Sequence, residues 1–415
     1  MDSRRSSIKG STRGNLSSVE WIEADDMPEW MLMEVLMRLP FKVLFKFKTV
    51  SKQWCSMISC PSFARMYVDR RSRSPHSQDW ILVSSFADKV MTEQFFLKKL
   101  PLDGSSLGIN CLDLLTLPCD QFHGFDHVVV GISNGLLLYG PRLEVAKRLQ
   151  IYSYEICNPI TGQRITLPPS ESCFEFVATG FVTQVEDNVL QSYKVVRIEV
   201  HHANSGFIRF DVYSSEIREW EYFRIHSRIC FYKWKNPVVL GKIMHWMVAT
   251  HSVMAFDPYN INNPPFISLI SLPSDDVASY RLRKIELDHV LLDEHQGHLR
   301  YVEVKLDGRQ PIKLSIWELK DYDSGRWCLQ HRVSIDELRI RSVPLSFHPF
   351  DSNNILYLIN YKALLSFDVE TGELKVVDDS SENYIDKLPY GMSYFPFVIP
   401  PWPVFISPSL FEVTH

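Results

Sequence analysis

A helical pattern of apolar residues occupies a short stretch near the start of the chain. Its positions lie three and four residues apart: Met31, Leu32, Val35, Leu36 and Leu39. Such spacing predicts a helix with one apolar face. Asp25 and Asp26, followed by Pro28, are typical of a helix start. Pro40 ends the pattern, because the residue before a proline avoids the helical region.

Two further short helices are predicted before residue 61. The pattern restarts at Phe41, Leu44 and Phe45. Ser51 is a favourable N-cap for a third helix, which Pro61 closes. The apolar side chains of that helix share one face: Trp54, Met57 and Ile58. Three helices in about 35 residues carry more apolar surface than so small a unit buries alone, so the surplus is predicted to face a partner.

After a basic, serine-rich stretch at residues 70–75, the pattern changes to short strands separated by turns. Five units of strand, turn and strand follow. Four of them span residues 155–165, 210–220, 314–327 and 364–374, and another opens at residues 253–258. Another apolar run precedes each unit, at residues 135–139, 193–200, 242–248, 299–304 and 355–359. The recurrence at roughly 50 residues is the period of kelch-like propeller blades, with these runs as inner strands before an outer hairpin.

A partial sixth unit spans residues 80–100, and a strand pattern at residues 394–398 is predicted to pair with it and close a ring. The chain is therefore predicted to be mainly β with a small α module. Three helices precede a kelch-like β-propeller of about six blades. The expected boundaries are a disordered tail at 1–24, the helical module at 25–69, a linker at 70–79 and the β domain at 80–410.

The composition narrows the class of protein. Hydrophobic residues make up 45% of the chain, so a large core can be buried, and the net charge of −5 does not suggest nucleic-acid binding. The 8 cysteines form no Cys-x-x-Cys pair, which is typical of a reducing compartment. No apolar run approaches a membrane span, and no secretory signal is present. The expected location is the cytoplasm, the nucleus or both.

The helical segment resembles an F-box of the plant type. The matching pieces are Met27-Pro28, Glu34-Val35-Leu36, Arg38-Leu39-Pro40, Leu44-Phe45-Lys46-Phe47-Lys48, Val50-Ser51-Lys52-Gln53-Trp54 and Met57-Ile58. The register holds without a gap. The sequence departs from the family pattern at Met27, where leucine is usual, and at Trp30, where an acidic residue is usual.

The β domain resembles the F-box-associated domain of plant F-box proteins, which is related to kelch-type propellers. The matching pieces are Ser133-Asn134-Gly135-Leu136-Leu137, Asn158-Pro159, Thr161-Gly162, Leu167-Pro168, Tyr193-Lys194-Val195-Val196, His245-Trp246 and residues 317–332. The order of these pieces is more specific than any one of them. The two resemblances together cover nearly the whole chain after residue 25.

These resemblances imply a substrate receptor of an SCF-type (Skp-cullin-F-box) ubiquitin ligase. The F-box docks a Skp-family adaptor, and through it a cullin-RING ligase, while the β domain binds an unknown protein substrate for ubiquitination. The expected adaptor contacts are Pro28, Leu32, Val35, Leu36, Leu39, Pro40, Leu44, Val50 and Trp54. Some of these side chains must hold the helices together instead, and the sequence does not separate the two roles. Lys46, Lys48 and Lys52 fit either an acidic adaptor or a solvated face.

The resemblance implies no catalytic residue, cofactor or metal, and neither nucleic acid nor membrane as a partner. The chain is expected to be a non-catalytic subunit. The alternative is an F-box-tethered propeller that binds a small molecule or acts as a hydrolytic enzyme, since one fold hosts many functions. A deep pocket with convergent carboxylates or histidines would favour this alternative, and a shallow aromatic face would favour protein recognition.

Two patterns bear on that alternative. Residues 131–135 match the Gly-x-Ser-x-Gly nucleophile elbow, but a strand-like run follows instead of a helix, so a turn is favoured. Three histidine-bearing segments are candidate metal ligands: residues 123–127, 201–202 and 293–298. Their strand and turn contexts favour a structural interpretation. His245 is predicted to be a satisfied histidine of the core or of a blade edge.

Overall fold

A computed structural model describes the chain in two compact units, Met1–Tyr67 and Val68–His415. The described residues are 28–39, 41–72, 80–85, 97–98, 127–141, 153–172, 177–199, 206–226, 229, 237–248, 251–261, 267–273, 289–307, 310–334, 342–350, 355–359, 364–378, 393–400, 402–407 and 410. Residues 1–27, Pro40 and the segments 123–126 and 201–202 are among those outside this set. Within it, no helix is long and apolar enough to cross a membrane.

The N-terminal unit is helical. Its helices are α1 (Glu29–Leu36), α2 (Phe41–Phe47), α3 (Lys52–Ser59) and α4 (Pro61–Ser72). The predicted N-cap is confirmed, since the Ser51 side chain accepts a hydrogen bond from the Trp54 backbone N–H at 3.2 Å. The predicted caps Asp25 and Asp26 lie outside the described residues. The helix α4 was not predicted from the sequence, and it extends to Ser72 and therefore into the predicted linker at 70–79.

The rest of the chain forms five antiparallel four-stranded sheets, here called blades 1 to 5. Blade 1 contains β3 (His127–Ser133), β4 (Leu136–Pro141), β5 (Glu155–Cys157) and β6 (Arg164–Thr166). Blade 2 contains β7 (Val177–Glu186), β8 (Val189–Glu199), β9 (Phe207–Ser214) and β10 (Glu219–His226). Blade 3 contains β11 (Val238–Leu240), β12 (Ile243–Val248), β13 (Ser252–Phe256) and β14 (Ser268–Ser271).

The last two blades follow the same order. Blade 4 contains β15 (Val290–His295), β16 (His298–Asp307), β17 (Gln310–Asp321) and β18 (Arg326–Ser334). Blade 5 contains β19 (Val343–Phe347), β20 (Ile355–Ile359), β21 (Leu364–Asp368) and β22 (Leu374–Asp378). The five second strands begin roughly 55 residues apart, close to the predicted period. Each predicted apolar run is the second strand of a blade, and the innermost strand precedes it.

A three-stranded sheet, here called the closing sheet, completes the ring. It contains β1 (Trp80–Ser85), β2 (Leu97–Lys98) and β23 (Ser393–Val398) in the order β2-β1-β23. β1 and β23 pair antiparallel from Trp80 opposite Val398 to Ser85 opposite Ser393. β1 and β23 contact β3 of blade 1, and β23 contacts β19 of blade 5. The predicted closure is confirmed, and five blades with a closing sheet agree with a propeller of about six.

Short turns with left-handed backbone connect the strands of the blades. Asn134 and Gly135 have φ values of 46° and 74°, as a two-residue hairpin turn requires. A Cβ atom on Gly135 would also lie 2.7 Å from Pro400, so both the turn and the packing require glycine there. In blade 1 the Asn158 side chain accepts from the backbone of the turn before β6, and Asp368 does the same before β22 in blade 5.

Apolar side chains fill the spaces between neighbouring sheets. Successive side chains of a strand point to opposite faces, so each blade contacts two neighbours. In blade 4, Tyr301 and Trp317 pack towards blade 3, whereas Val302 and Ile316 pack towards blade 5. Further clusters join blades 1 and 2, blades 2 and 3, and blade 5 with the closing sheet. The core is therefore a ring of interfaces.

Two tryptophans link the outer edges of adjacent blades. Trp220 of β10 donates its indole N–H to the Pro168 carbonyl, just after the outer strand of blade 1, at 2.9 Å. Trp327 of β18 donates to the Ser271 carbonyl in the outer strand of blade 3, also at 2.9 Å. Each tryptophan is the second residue of its outer strand. The same device therefore joins blade 1 to blade 2 and blade 3 to blade 4.

Closure of the ring yields the first testable prediction. Trp80 is buried and donates its indole N–H to His348 Nε2 at 3.1 Å, across the closing sheet and blade 5. Trp80→Phe removes the donor and leaves a buried acceptor without it. We expect the free energy of unfolding to fall by about 1–3 kcal/mol, measured by chemical denaturation.

Trp246→Phe is the matched control. Trp246 is equally buried between blades 2 and 3, but its indole nitrogen has no hydrogen-bond partner among the described residues. Both substitutions shrink a buried ring, but only Trp80→Phe removes a hydrogen bond. An equal loss of stability in the two variants would contradict a role for the Trp80–His348 bond.

A carboxylate links blades 4 and 5. Asp293 of β15 accepts from the Phe347 backbone N–H at 2.9 Å and from the Ser346 hydroxyl at 3.0 Å, both on β19. Burial disfavours its charged form and raises the pKa of Asp293 to about 6, despite these donors. Its ordinary value is 3.8, so the carboxyl group ionises at a higher pH in the folded state than in the unfolded chain.

The second prediction concerns the pH dependence of stability. Because folding raises the pKa of Asp293, this group favours the folded state at low pH, and its contribution declines as the pH rises through about 6. Asp293→Asn cannot ionise. Relative to this variant, wild type is expected to lose about 1.4 kcal/mol for each unit of pKa shift. Denaturation curves between pH 4 and 7 measure the difference, and parallel pH profiles of the two proteins would rule it out.

Candidate functional site: the exposed face of the helical unit

The interior of the helical unit uses side chains from every helix. The buried apolar residues are Leu32, Leu36, Leu44, Met57, Ile58, Phe63, Ala64 and Tyr67. The Tyr67 hydroxyl also donates to the Leu39 carbonyl at 2.9 Å, which ties α4 to the end of α1. Proline is favoured in the first turn of a helix, so Pro61 begins α4 where the sequence analysis placed only an end. Phe63 and Tyr67, four residues apart, are the signal that was missed.

Other apolar side chains of the same unit remain exposed. On α1 these are Trp30, Met31 and Val35, with exposed fractions of 66%, 40% and 44%. Met31 and Val35 are one helical turn apart, so they share a face. Val50, in the turn before α3, is 54% exposed. We call Trp30, Met31, Val35 and Val50 the exposed apolar set. It is the surplus apolar surface that the sequence predicted. The centres of protein interfaces are depleted in charged residues and enriched in aromatic ones, which fits this set.

The predicted adaptor contacts fall into separate groups. Leu32, Leu36 and Leu44 are at most 1% exposed, so they stabilise the helical unit from inside and cannot touch a partner unless the helices move. Pro28, Val35 and Val50 are exposed, and Leu39 and Trp54 are half-buried. Trp54 packs edge-on against Phe47 with ring centroids 5.2 Å apart. Pro40 lies outside the described residues. Burial thus separates the residues that form the interior of the unit from those that remain accessible.

The lysines of the same unit differ in environment. Lys46 and Lys52 are exposed, whereas Lys48 is half-buried with its Nζ 4.4 Å from the Phe45 ring centroid. Burial lowers the pKa of Lys48 below its ordinary value. The Glu34 and Arg38 side chains form an exposed ion pair of 3.3 Å on α1, of the kind that adds little stability.

The candidate nucleophile elbow in blade 1 is a hairpin. Ser133 ends β3, and β4 begins after the Asn134-Gly135 turn, so no helix follows the serine. The Ser133 hydroxyl lies 2.9 Å from the Thr183 hydroxyl and accepts from the Thr183 backbone N–H. The predicted turn is confirmed, and the serine joins blades 1 and 2.

The histidine candidates also have structural surroundings. His245 is fully buried, with Nδ1 3.2 Å from the Val238 carbonyl and Nε2 2.8 Å from the Tyr322 hydroxyl. Burial lowers its pKa to about 4, so the ring is neutral near pH 7. This confirms the predicted satisfied histidine. Asp293–His298 forms the end of β15 and the turn before β16, and no group of three or more potential metal ligands occurs among the described residues.

A small cavity between blades 2 and 3 is lined by apolar side chains. Its lining residues are Ile198, Ile208, Phe210, Ile225, Met254, Phe256 and Ile267. None of these residues offers a carboxylate or an imidazole. The cavity therefore lacks the convergent polar groups that the enzymatic alternative requires.

Comparison with protein families agrees with both units. Residues 25–65 match the F-box domain, which covers α1 to α3 and the first turn of α4. Residues 110–392, about two thirds of the chain, match the family described as F-box protein At3g26010-like, beta-propeller. The second match spans the five blades and stops just before β23.

Curated relatives align with this chain over most of their length. The chain is 27% identical to the putative F-box/kelch-repeat protein At1g15680 of Arabidopsis thaliana, over 90% of this chain and 89% of that protein. It is 27% identical to the F-box protein At3g28330 of the same plant, over 92% of this chain and 96% of that protein. The chain therefore belongs to the At3g26010-like family of F-box proteins, in which an F-box precedes a β-propeller.

Proposed function

We propose that this protein is the substrate-recognition subunit of an SCF-type ubiquitin ligase. Its F-box docks a Skp-family adaptor, which connects it to a cullin-RING ligase, and its propeller binds a protein target for ubiquitination. The observation that carries the proposal is the exposed apolar set within a segment that matches the F-box domain. Such residues on a small unit that has already formed its own core are expected to bind another protein.

The exposed apolar set has the composition of an interface centre. Trp30 is the largest and most exposed of these side chains, and tryptophan is enriched among residues that dominate binding energy. Where other F-boxes usually carry an acidic residue, this chain therefore offers an additional apolar anchor. Lys46 and Lys52 lie on α2 and α3 as exposed cations, which suits an acidic rim on the adaptor.

The protein itself would contribute position rather than bond-making groups. By holding a target close to the ubiquitin-charged enzyme, a receptor raises the effective concentration of the reacting groups. The propeller suits this role because its six sheets support one another in a closed ring, which gives a firm base for recognition residues on its surface.

The third prediction tests the adaptor contact. Val35→Glu combined with Val50→Glu places two charges in the proposed interface, where burying an unpaired carboxylate is costly. Both valines are exposed, so the fold should persist. We expect co-purification of the Skp-family adaptor to fall at least tenfold, while the thermal unfolding temperature of the propeller stays unchanged.

Two comparison variants make the result specific. Val376→Glu changes a valine that is 61% exposed on the outer strand of blade 5 and should leave adaptor binding intact. Leu36→Ala removes a fully buried side chain and should destabilise the helical unit by about 2–5 kcal/mol. Full adaptor recovery by the double valine variant would reject this surface as the docking site.

A ligase assay tests the remainder of the proposal. Deleting residues 25–65 should leave target binding to the propeller while preventing ubiquitination, so that clients accumulate unmodified on the truncated protein. Proteins captured in this way should become ubiquitinated when the full chain, adaptor, cullin and RING subunit are combined. Failure of every captured protein to be modified in that mixture would argue against a receptor role.

A further inference from the structure

One face of blade 2 carries three arginines and two carboxylates. Strand register places Arg197 opposite Asp211, and Arg209 opposite Arg224. Because side chains alternate along a strand, these residues and Glu199 share the face of blade 2 that also bears Trp220, which points towards blade 1.

Two of the arginines have a carboxylate of their own. Arg197 is fully buried and lies 3.1 Å from Asp211, whose carboxylate also accepts from the hydroxyls of Ser170 and Ser172. Arg209 donates to both oxygens of Glu199, which is the paired geometry that fixes a guanidinium most firmly.

The third arginine differs. Arg224 is exposed on β10, and among the described residues it forms no ion pair. Its guanidinium carbon lies 3.6 Å from the centroid of the Phe207 ring, so the group is stacked over an aromatic face. Stacking reduces the freedom of the side chain and leaves the in-plane N–H groups at its edge available to a ligand.

The strand register places Arg224 opposite another arginine. Like charges directly opposite each other on paired strands are destabilising, and Arg224 faces Arg209 in this way. Glu199 is engaged by Arg209, and the nearest acidic residues on β10, Glu219 and Glu221, belong to the opposite face. Among the named strand residues of this face, three arginines outnumber two carboxylates, on a protein whose net charge is −5.

The surroundings of Arg224 suit an extended polypeptide. β10 is the outer strand of its sheet, and among the described residues no strand pairs with its outer side. Tyr222, two residues before Arg224 on the same face, is 47% exposed. An edge strand with an exposed tyrosine and a stacked arginine can hold a segment through its backbone and a carboxylate through its guanidinium.

We propose that Arg224, stacked on Phe207, binds a carboxylate of an acidic extended segment in the target protein, with Tyr222 beside it along the β10 edge. This proposal rests on the proposed function, because it gives the chemistry of the target. The planar carboxylate matches the two parallel N–H donors of the guanidinium, and the unbalanced positive charge of this face supplies the attraction.

The fourth prediction uses the full chain and a defined probe. A fluorescein-labelled peptide of alternating glutamate and valine should bind to wild type, as measured by fluorescence anisotropy. Its lysine–valine counterpart should not. Arg224→Ala should weaken binding about tenfold or more, because one charge-assisted pair is lost. Arg224→Lys should weaken it as well, because lysine keeps the charge but loses the stack and the paired donors.

Arg218→Ala is the matched control, since Arg218 is an exposed arginine in the turn before β10. It should bind the glutamate–valine peptide as wild type does. Equal binding by wild type and Arg224→Ala, or no binding by wild type, would overturn the proposal. A phosphoserine peptide that binds much more tightly than the glutamate peptide would overturn the assignment to a carboxylate.

The same variants keep this proposal separate from the ligase role. Arg224→Ala lies far from the F-box in the sequence and should retain the Skp-family adaptor at wild-type levels. If the wild-type protein does not bind the Skp-family adaptor, the ligase proposal is contradicted, whatever the result of the peptide-binding assay. If the adaptor binds normally but wild type and Arg224→Ala bind the peptide equally, only the proposed carboxylate site is contradicted.

Discussion

Burial of both faces of every blade is the constraint on which the propeller depends. The strands of blade 4 show it most directly, because Tyr301 and Trp317 pack on one neighbour while Val302 and Ile316 pack on the other. A single isolated blade would leave both of its faces in water. The little apolar surface it could bury would not offset the conformational entropy lost in ordering its strands. The ring solves this by giving each sheet two partners. It also explains why second strands such as β4 and β20 contain continuous apolar runs, at residues 136–139 and 355–359.

The helical unit, in contrast, does not bury all of its apolar side chains. It buries eight apolar residues but leaves Trp30, Met31, Val35 and Val50 in solvent. A unit of this size has too little interior for all its apolar side chains. The propeller, whose core is continuous, exposes apolar residues mainly on outer strands, as at Leu269, Leu329 and Val376. The two units thus differ in how much of their apolar surface they bury, and the helical unit leaves the exposed apolar set accessible.

Much of this architecture follows from local sequence. The Ser51 cap and the outer hairpins were predicted because caps and turn residues are short-range signals. The pairing of the partial unit at 80–100 with residues 394–398 was predicted instead from the need of a propeller to close into a ring. The division of Leu36 and Val35 into buried and exposed was not predicted, because both fit the same apolar stripe and only the packing of the folded unit separates them. Nor could the Arg224 site be found, since it depends on the register that sets Phe207, Arg209 and Arg224 together.

The pairing of β1 with β23 has a consequence for the order of events during synthesis. The strand β1, which contains Trp80, cannot pair with β23 until Val398 has been synthesised, roughly 320 residues later in the chain. At about 5–20 residues per second this delay is roughly 15–60 s on the ribosome. The F-box emerges first and needs nothing from the later chain to form its own core. The F-box can therefore be folded, and accessible to the proposed adaptor, while the propeller ring is still open.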